Sequence, residues 1–81
     1  MCRPITKEEI HQLVEAFAKT AKLCKAAGVD GVEVHAVHEG YLMDQFTLPY
    51  TNQRTDEYGG SFENRYRFSK LPPYSSVRWL V

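Results

Sequence analysis

The chain has 81 residues, 43% hydrophobic and 25% charged, which is the composition of a globular protein rather than a disordered or fibrous one. This length supports one small core, so a single domain is the upper limit. Lysine and arginine balance aspartate and glutamate at 10 each, which excludes a basic field for nucleic acid or an anionic membrane. No apolar run approaches the ~20 residues of a transmembrane helix, and no signal-peptide pattern is present, so we expect a cytoplasmic protein.

The first predicted element is an amphipathic helix. Thr6 and Glu9 have capping-box spacing, which predicts a helix that begins at Lys7. Gly28 is well placed just past its C-terminus. Apolar residues recur at spacings of three and four and form one stripe, which comprises Ile10, Leu13, Val14, Phe17, Ala18, Ala21 and Cys24. We therefore expect Cys24 to be a small core residue, and its distance from Cys2 argues against a disulfide framework or a cysteine metal site.

A short apolar strand is predicted next, over residues 32–37. Alternation places Val32 and Val34 on one face and Glu33 and His35 on the other. In an open α/β sheet the second face would meet helices, where ionisable side chains are costly to bury. In a closed barrel that face points inward, toward a ligand at the mouth. The alternation therefore favours a barrel.

Residues 39–60 show no helical or alternating period, and a connection this long is usually functional. Tyr58 beside two glycines suggests a turn held by a packed ring. Ser61 is a plausible N-cap for a second helix over residues 62–68, which the prolines at 72 and 73 would end. Residues 74–81 show no clear pattern.

The arginines near this loop have a structural interpretation. Arg54 and Arg65 lie close in sequence to three carboxylates, those of Asp56, Glu57 and Glu63. We expect both arginines to pair with these carboxylates rather than with a substrate phosphate.

Four groups that can donate, accept or move protons follow the predicted strand: His35, His38, Glu39 and Tyr41. Histidine and tyrosine can hydrogen-bond a carbonyl oxygen, and a tyrosine hydroxyl can deliver a proton. Hydride delivery would need a cofactor. Two alternatives stay open at this point. His35 could be a satisfied core residue, or the histidines and Glu39 could ligate a metal if the chain turned between them.

Longer motifs then become specific for a family. Residues 31–35, 40–46 and above all 49–68 closely resemble the Old Yellow Enzyme family of NADH:flavin oxidoreductases. The resemblance implies a (β/α)8 TIM barrel with FMN, which uses NADH or NADPH to reduce the C=C bond of α,β-unsaturated carbonyl or enoyl compounds. It also implies that His35 and His38 bind the substrate carbonyl and that Tyr41 is the catalytic tyrosine for protonation at the α-carbon.

The sequence of residues 38–41 is most similar to that of the iron–sulfur branch of the family, which includes 2-enoate and 2,4-dienoyl-CoA reductases. That branch implies a 4Fe-4S cluster and FAD in a longer protein, and the clustered cysteines are absent from this sequence. The residues that bind FMN are not identified in this sequence either.

A complete barrel takes about 250 residues, so this chain corresponds to about a third of one. The expected architecture is helix–strand–long loop–helix, with residues 1–68 as a partial barrel segment and residues 69–81 as a divergent tail. The first functional hypothesis is a piece of an ene-reductase whose partner is a small unsaturated substrate. The alternatives are a non-catalytic remnant and a small metal-dependent hydrolase. The sequence leaves the substrate and the oligomeric state open.

Overall fold

The computed structural model describes residues 2–33, 35, 41–70 and 79–80, and these residues contain three helices and two short strands. The elements, in chain order, are α1 (Lys7–Ala26), β1 (Val32–Glu33), α2 (Leu42–Thr47), α3 (Phe62–Lys70) and β2 (Trp79–Leu80).

Helix α1 begins and ends as its sequence predicts. The Glu9 N–H donates to Thr6 Oγ1 at 3.1 Å, and the Thr6 N–H donates to Glu9 Oε1 at 3.0 Å, which completes the capping box. Arg3 donates two hydrogen bonds, of 2.7 and 2.8 Å, to the same carboxylate, and this pairing lowers the pKa of Glu9 to about 2. Gly28 lies just past the helix with φ +89°, a left-handed conformation that favours glycine.

The apolar stripe of α1 is buried in part. Ile10, Val14, Ala18 and Ala21 are buried, as the spacing predicts. The prediction is wrong at two other residues of the stripe: Phe17 is 37% exposed, and Cys24 is only half-buried rather than in the core. The reason is that the core cluster draws Ile10 and Val14 from α1, with Leu13 packed against them, so this core is built on the first half of the helix.

The core lies where the first half of α1 meets α2, α3 and the loop between them. Its buried members are Ile10, Val14, Met43, Phe46, Tyr58 and Phe68. The Phe46 ring packs edge-on against Phe68, with centroids 5.1 Å apart, and against Tyr58 at 6.5 Å. Tyr58 is therefore a packed ring beside its glycines, as the sequence predicts.

The strands form a parallel pair. Val32 pairs with Trp79, and Glu33 pairs with Leu80. Parallel neighbours require a crossover connection, here one that includes α2 and α3, which gives the described chain an α/β character. The prediction of a strand over residues 32–37 is confirmed at Val32 and Glu33, which form β1, whereas His35 lies outside the strand. Residues 34, 36 and 37 lie outside the described residues. Strand β2 lies in the stretch of residues 74–81, where the sequence shows no clear pattern.

Helix α2 lies in the segment that shows no period in the sequence, so the prediction of an irregular loop is wrong there. A helix of six residues is far shorter than the ~12–15 that isolated helices need, so its stability comes from tertiary contacts. Met43, Phe46 and Thr47 supply them, since all three are buried.

Helix α3 starts as predicted, because the Asn64 N–H donates to Ser61 Oγ at 3.2 Å. It continues to Lys70, two residues beyond the predicted end. Within the described ranges, no helix combines the length and apolar character needed to cross a membrane.

Candidate functional site

The structure brings together two of the three site residues predicted from the sequence. The rings of His35 and Tyr41 contact each other, with centroids 5.5 Å apart and planes tilted by 50°. Both side chains are exposed, Tyr41 by 56%, so a ligand can reach them. His38, the third predicted residue, lies outside the described residues, as does Glu39.

The position of Tyr41 is set by α2. Tyr41 is the N-cap residue of this helix, with extended backbone angles (φ −69°, ψ 161°), and its carbonyl accepts the Gln45 N–H at 3.0 Å. His35 follows β1 by two residues. The pair therefore lies where the chain passes from the strand to α2, at the C-terminal end of a parallel strand. That end is where α/β proteins place their ligands.

The chemistry available to this pair is hydrogen-bond donation and proton transfer. An imidazole N–H and a phenolic O–H are both donors, and a phenol also holds a proton that it can give to a reacting carbon. Glu33 is exposed like His35, as expected for two residues on one face of an extended chain.

Behind the site, the loop after α2 is organised around one buried amide. Asn52 is only 7% exposed, and its Nδ2 donates to the carbonyls of Phe46 and Tyr58 at 2.7 and 2.8 Å. Its Oδ1 accepts the Arg54 N–H at 3.0 Å. One side chain thus ties the end of α2 to the turn that carries the core ring of Tyr58.

Arg54 and Asp56 form the predicted ion pair. The guanidinium donates to both carboxylate oxygens, with the shortest bond at 2.6 Å from Nη2 to Oδ2. The same guanidinium donates to the Ile5 carbonyl at 2.6 Å and lies over the Phe46 ring, 5.6 Å from its centroid. This pairing holds the pKa of Asp56 below its ordinary value. The pair joins the loop to the segment that precedes α1.

Close packing of the backbone explains one of the two glycines after Tyr58. A Cβ at Gly59 would collide with the carbonyl oxygen and Cβ of Arg54, so only glycine fits there. Gly60 has open space but adopts φ +93°, which again favours glycine. Asn64 from α3 caps the turn by donating to the Gly59 carbonyl at 2.9 Å.

The prediction that Arg65 pairs with a neighbouring carboxylate is wrong. Its Nη1 donates to the Thr47 carbonyl at 2.9 Å, and its guanidinium lies 5.9 Å from the Phe62 ring centroid. Its position on α3 faces the end of α2, so a backbone carbonyl is the acceptor within reach. Sequence proximity to Glu63 gave no signal of this contact.

An open cleft of about 1060 Å³ lies between the segment before α1 and the loop after α2. Neither His35 nor Tyr41 lines it. Arg3 and Arg54, which do, are paired with Glu9 and Asp56 respectively. The charges of this cleft therefore already have partners within the protein.

Among the residues that the structure describes, no three histidine, cysteine, aspartate or glutamate side chains lie close enough to hold a metal ion. The metal alternative also requires His38 and Glu39, which lie outside those ranges.

Comparison with known proteins decides the family. The model of the NADH:flavin oxidoreductase / NADH oxidase family matches residues 1–70. The chain belongs to this family. Membership associates the chain with a flavin and a reduced nicotinamide, and with a family whose fold is the TIM barrel.

Three curated members of the NADH:flavin oxidoreductase family show how similar the segment is. It is 60% identical over 68 residues to cinnamate reductase of Clostridium sporogenes (84% of this chain, 10% of that protein). It is 56% identical over 64 residues to enoate reductase 1 of Kluyveromyces lactis (79% and 16%). It is 56% identical over 63 residues to NADPH dehydrogenase of Bacillus licheniformis (78% and 18%). The chain thus spans between a tenth and a fifth of the length of these relatives.

Sequence reasoning identified His35 and Tyr41 but missed the residues that hold the loop behind them. Asn52 is not among the residues that the sequence singles out. An asparagine in a loop favours an Asx turn, in which its side-chain oxygen accepts the backbone N–H two residues on, and the Asn52–Arg54 bond is of this kind. Its burial and its two carbonyl acceptors have no sequence signal.

Proposed function

We propose that this segment forms the substrate side of the active site in an FMN-dependent NAD(P)H oxidoreductase that reduces the C=C bond of α,β-unsaturated carbonyl compounds. The observation that carries the proposal is the contact between His35 and Tyr41, two exposed proton-bearing rings at the end of a parallel strand. The printed names of two relatives, cinnamate reductase and enoate reductase, describe substrates of this class and support it.

In the proposed reaction, His35 and His38 hydrogen-bond the substrate carbonyl and stabilise the negative charge that develops on its oxygen. Tyr41 gives its phenolic proton to the α-carbon. The chemistry that a bound FMN supplies is hydride transfer from the nicotinamide to the β-carbon.

The described residues fit the substrate better than they fit the flavin phosphate. A phosphate site would need guanidinium groups without protein partners. In residues 2–33, 35 and 41–70, each arginine already binds a protein group: Arg3 binds Glu9, Arg54 binds Asp56, and Arg65 and Arg67 bind backbone carbonyls. We infer that the flavin phosphate is bound elsewhere in the barrel and that the 81-residue chain alone does not bind FMN tightly.

The proposal extends to the branch of the family and to the bounds of the barrel segment. The alignments with the three relatives are of similar length, but the one with cinnamate reductase covers the smallest share of its relative. Cinnamate reductase is therefore the longest of the three proteins. This supports the larger iron–sulfur branch, in which a 4Fe-4S cluster and FAD would be bound by other parts of the protein. We also propose that residues 1–68 form the barrel segment and residues 69–81 a divergent tail.

The experiment that tests the proposal uses a chimeric reductase, in which the 68 residues of this chain that align with Clostridium sporogenes cinnamate reductase replace the corresponding segment of that enzyme. The chimera is expected to bind flavin and to reduce cinnamate. Replacing His35 by alanine in it is expected to lower kcat/KM roughly 10- to 100-fold, because a hydrogen bond to a charged or charge-developing oxygen contributes about 1.5–3 kcal/mol. Flavin reduction by the nicotinamide should be unchanged.

The control is His11→Ala in the same chimera, because His11 is an exposed histidine of α1 away from the proposed substrate. It should leave kcat/KM unchanged. A chimera that binds flavin but does not reduce cinnamate, or a His35→Ala variant with the kcat/KM of its parent, would contradict the proposal.

A further inference from the structure

The C-terminal end of α2 is capped in an unusual way. An α-helix leaves its last four carbonyls without partners inside the helix. In α2 these are the carbonyls of residues 44–47, and each accepts a hydrogen bond from a different side chain. The donors are Thr47 Oγ1 to Asp44 O at 2.7 Å, Thr51 Oγ1 to Gln45 O at 2.7 Å, Asn52 Nδ2 to Phe46 O at 2.7 Å, and Arg65 Nη1 to Thr47 O at 2.9 Å.

The backbone itself does not provide the usual cap. Many helices end with a left-handed residue, commonly glycine, whose N–H groups return to the last carbonyls. The C-cap residue of α2 is Leu48, which is extended (φ −101°, ψ 134°), so the chain leaves the helix directly. The side chains of the cap replace what a turned backbone would have supplied. We call Thr51, Asn52 and Arg65 the α2 cap, since they come from outside the helix.

The α2 cap restrains a motion that the core does not. Met43 and Phe46 bury one face of α2 and thereby fix its rotation about its own axis. Apolar contact is not directional and resists sliding along the axis weakly. Hydrogen bonds are directional and short-ranged, so bonds to three successive carbonyls fix the axial position of the helix.

The opposite end of the helix carries Tyr41. Six residues of α-helix extend about 9 Å, and so short a helix moves as a rigid unit. A shift at its C-terminal end is therefore transmitted to the N-cap, where the Tyr41 ring contacts His35.

We propose that the α2 cap positions Tyr41 against His35, which makes Thr51, Asn52 and Arg65 positioning residues of the active site. Their importance for catalysis rests on the function proposed above. Their effect on the geometry of the ring pair does not, so the two ideas can fail separately.

The test uses the full 81-residue chain and NMR. The readout is the NOE cross-peak between the rings of His35 and Tyr41, compared with the cross-peak between Phe46 and Phe68 as a measure of the intact core. Thr51→Val removes one donor from an exposed residue and leaves the core side chains in place. The matched control is Thr20→Val, since Thr20 is also exposed and its Oγ1 donates to the Ala16 carbonyl of α1 at 2.9 Å.

The expected result is loss of the His35–Tyr41 cross-peak in Thr51→Val, with the Phe46–Phe68 cross-peak retained and both retained in Thr20→Val. Arg65→Met should act in the same way, whereas Arg67→Met, on the same helix, should not. Retention of the His35–Tyr41 cross-peak in both cap variants would overturn the proposal. Loss of both cross-peaks in Thr51→Val would also overturn it, because the cap would then support the core as a whole. A wild-type chain without the His35–Tyr41 cross-peak would remove the geometry on which the proposal rests.

Discussion

Replacing Tyr41 by phenylalanine in the chimeric reductase is expected to slow cinnamate reduction by roughly 10²- to 10⁴-fold, the contribution typical of a positioned general acid. Phenylalanine keeps the ring that contacts His35 and removes only the hydroxyl. Reduction of the flavin by the nicotinamide does not use that proton and should keep its rate. Stopped-flow absorbance of the flavin measures the two half-reactions separately.

Tyr50→Phe is the matched control, because it makes the same chemical change at a tyrosine that is 89% exposed and outside the proposed substrate site. It should leave both half-reactions unchanged. An unaltered rate of cinnamate reduction in Tyr41→Phe would show that Tyr41 is not the proton donor. Equal slowing of both half-reactions would point instead to a general disturbance of the flavin site.

The second large effect is expected at Asn52. Its replacement by alanine should lower the free energy of unfolding by about 3 kcal/mol, because each buried polar group left without a partner costs about 1–3 kcal/mol. Three groups lose their partner: the carbonyls of Phe46 and Tyr58 and the N–H of Arg54. Urea denaturation of the 81-residue chain, followed by circular dichroism, measures this change.

Gln53→Ala provides the comparison, since Gln53 is the neighbouring residue and is exposed. Surface substitutions of this kind usually change stability by less than about 0.5 kcal/mol. An Asn52→Ala variant as stable as Gln53→Ala would mean that the loop after α2 does not depend on the buried amide.

The contrast between α1 and α2 shows what the sequence can predict about this fold. In α1 the start signal, the apolar spacing and the terminal glycine lie within one long segment and agree with one another, so local physics suffices. In α2 the helix is six residues long, and its stability comes from its buried face and from Asn52, Thr51 and Arg65, which lie outside it. Its existence depends on contacts between segments, which periodicity does not report.

The same distinction applies to the candidate site. The types and spacing of His35 and Tyr41 after a strand were enough to suggest chemistry, and the motif over residues 49–68 was enough to suggest the family. The pairing of Arg54 with Asp56 was predictable because the two are neighbours. The bond from Arg65 to the Thr47 carbonyl joins residues 18 positions apart, and a backbone acceptor carries no side-chain signature.

The arrangement gives the motif of residues 49–68 a physical interpretation. Several of its polar side chains donate hydrogen bonds to nearby backbone carbonyls. Thr51 and Asn52 bond to carbonyls of α2, Asn64 to that of Gly59, and Arg67 to that of Glu57. These residues hold the loop and α2, and α2 carries Tyr41. In the proposed site, the motif therefore acts as a support for α2 and, through it, for Tyr41.

The most direct test of the proposed substrate site is the crystal structure of the chimeric reductase with oxidised flavin and bound cinnamate. We expect a carboxylate oxygen of cinnamate within hydrogen-bond distance of a His35 ring nitrogen, at most about 3.2 Å, with the Tyr41 hydroxyl beside the α-carbon. Cinnamate bound away from both residues, or His35 and Tyr41 directed into solvent while the ligand is in place, would contradict it.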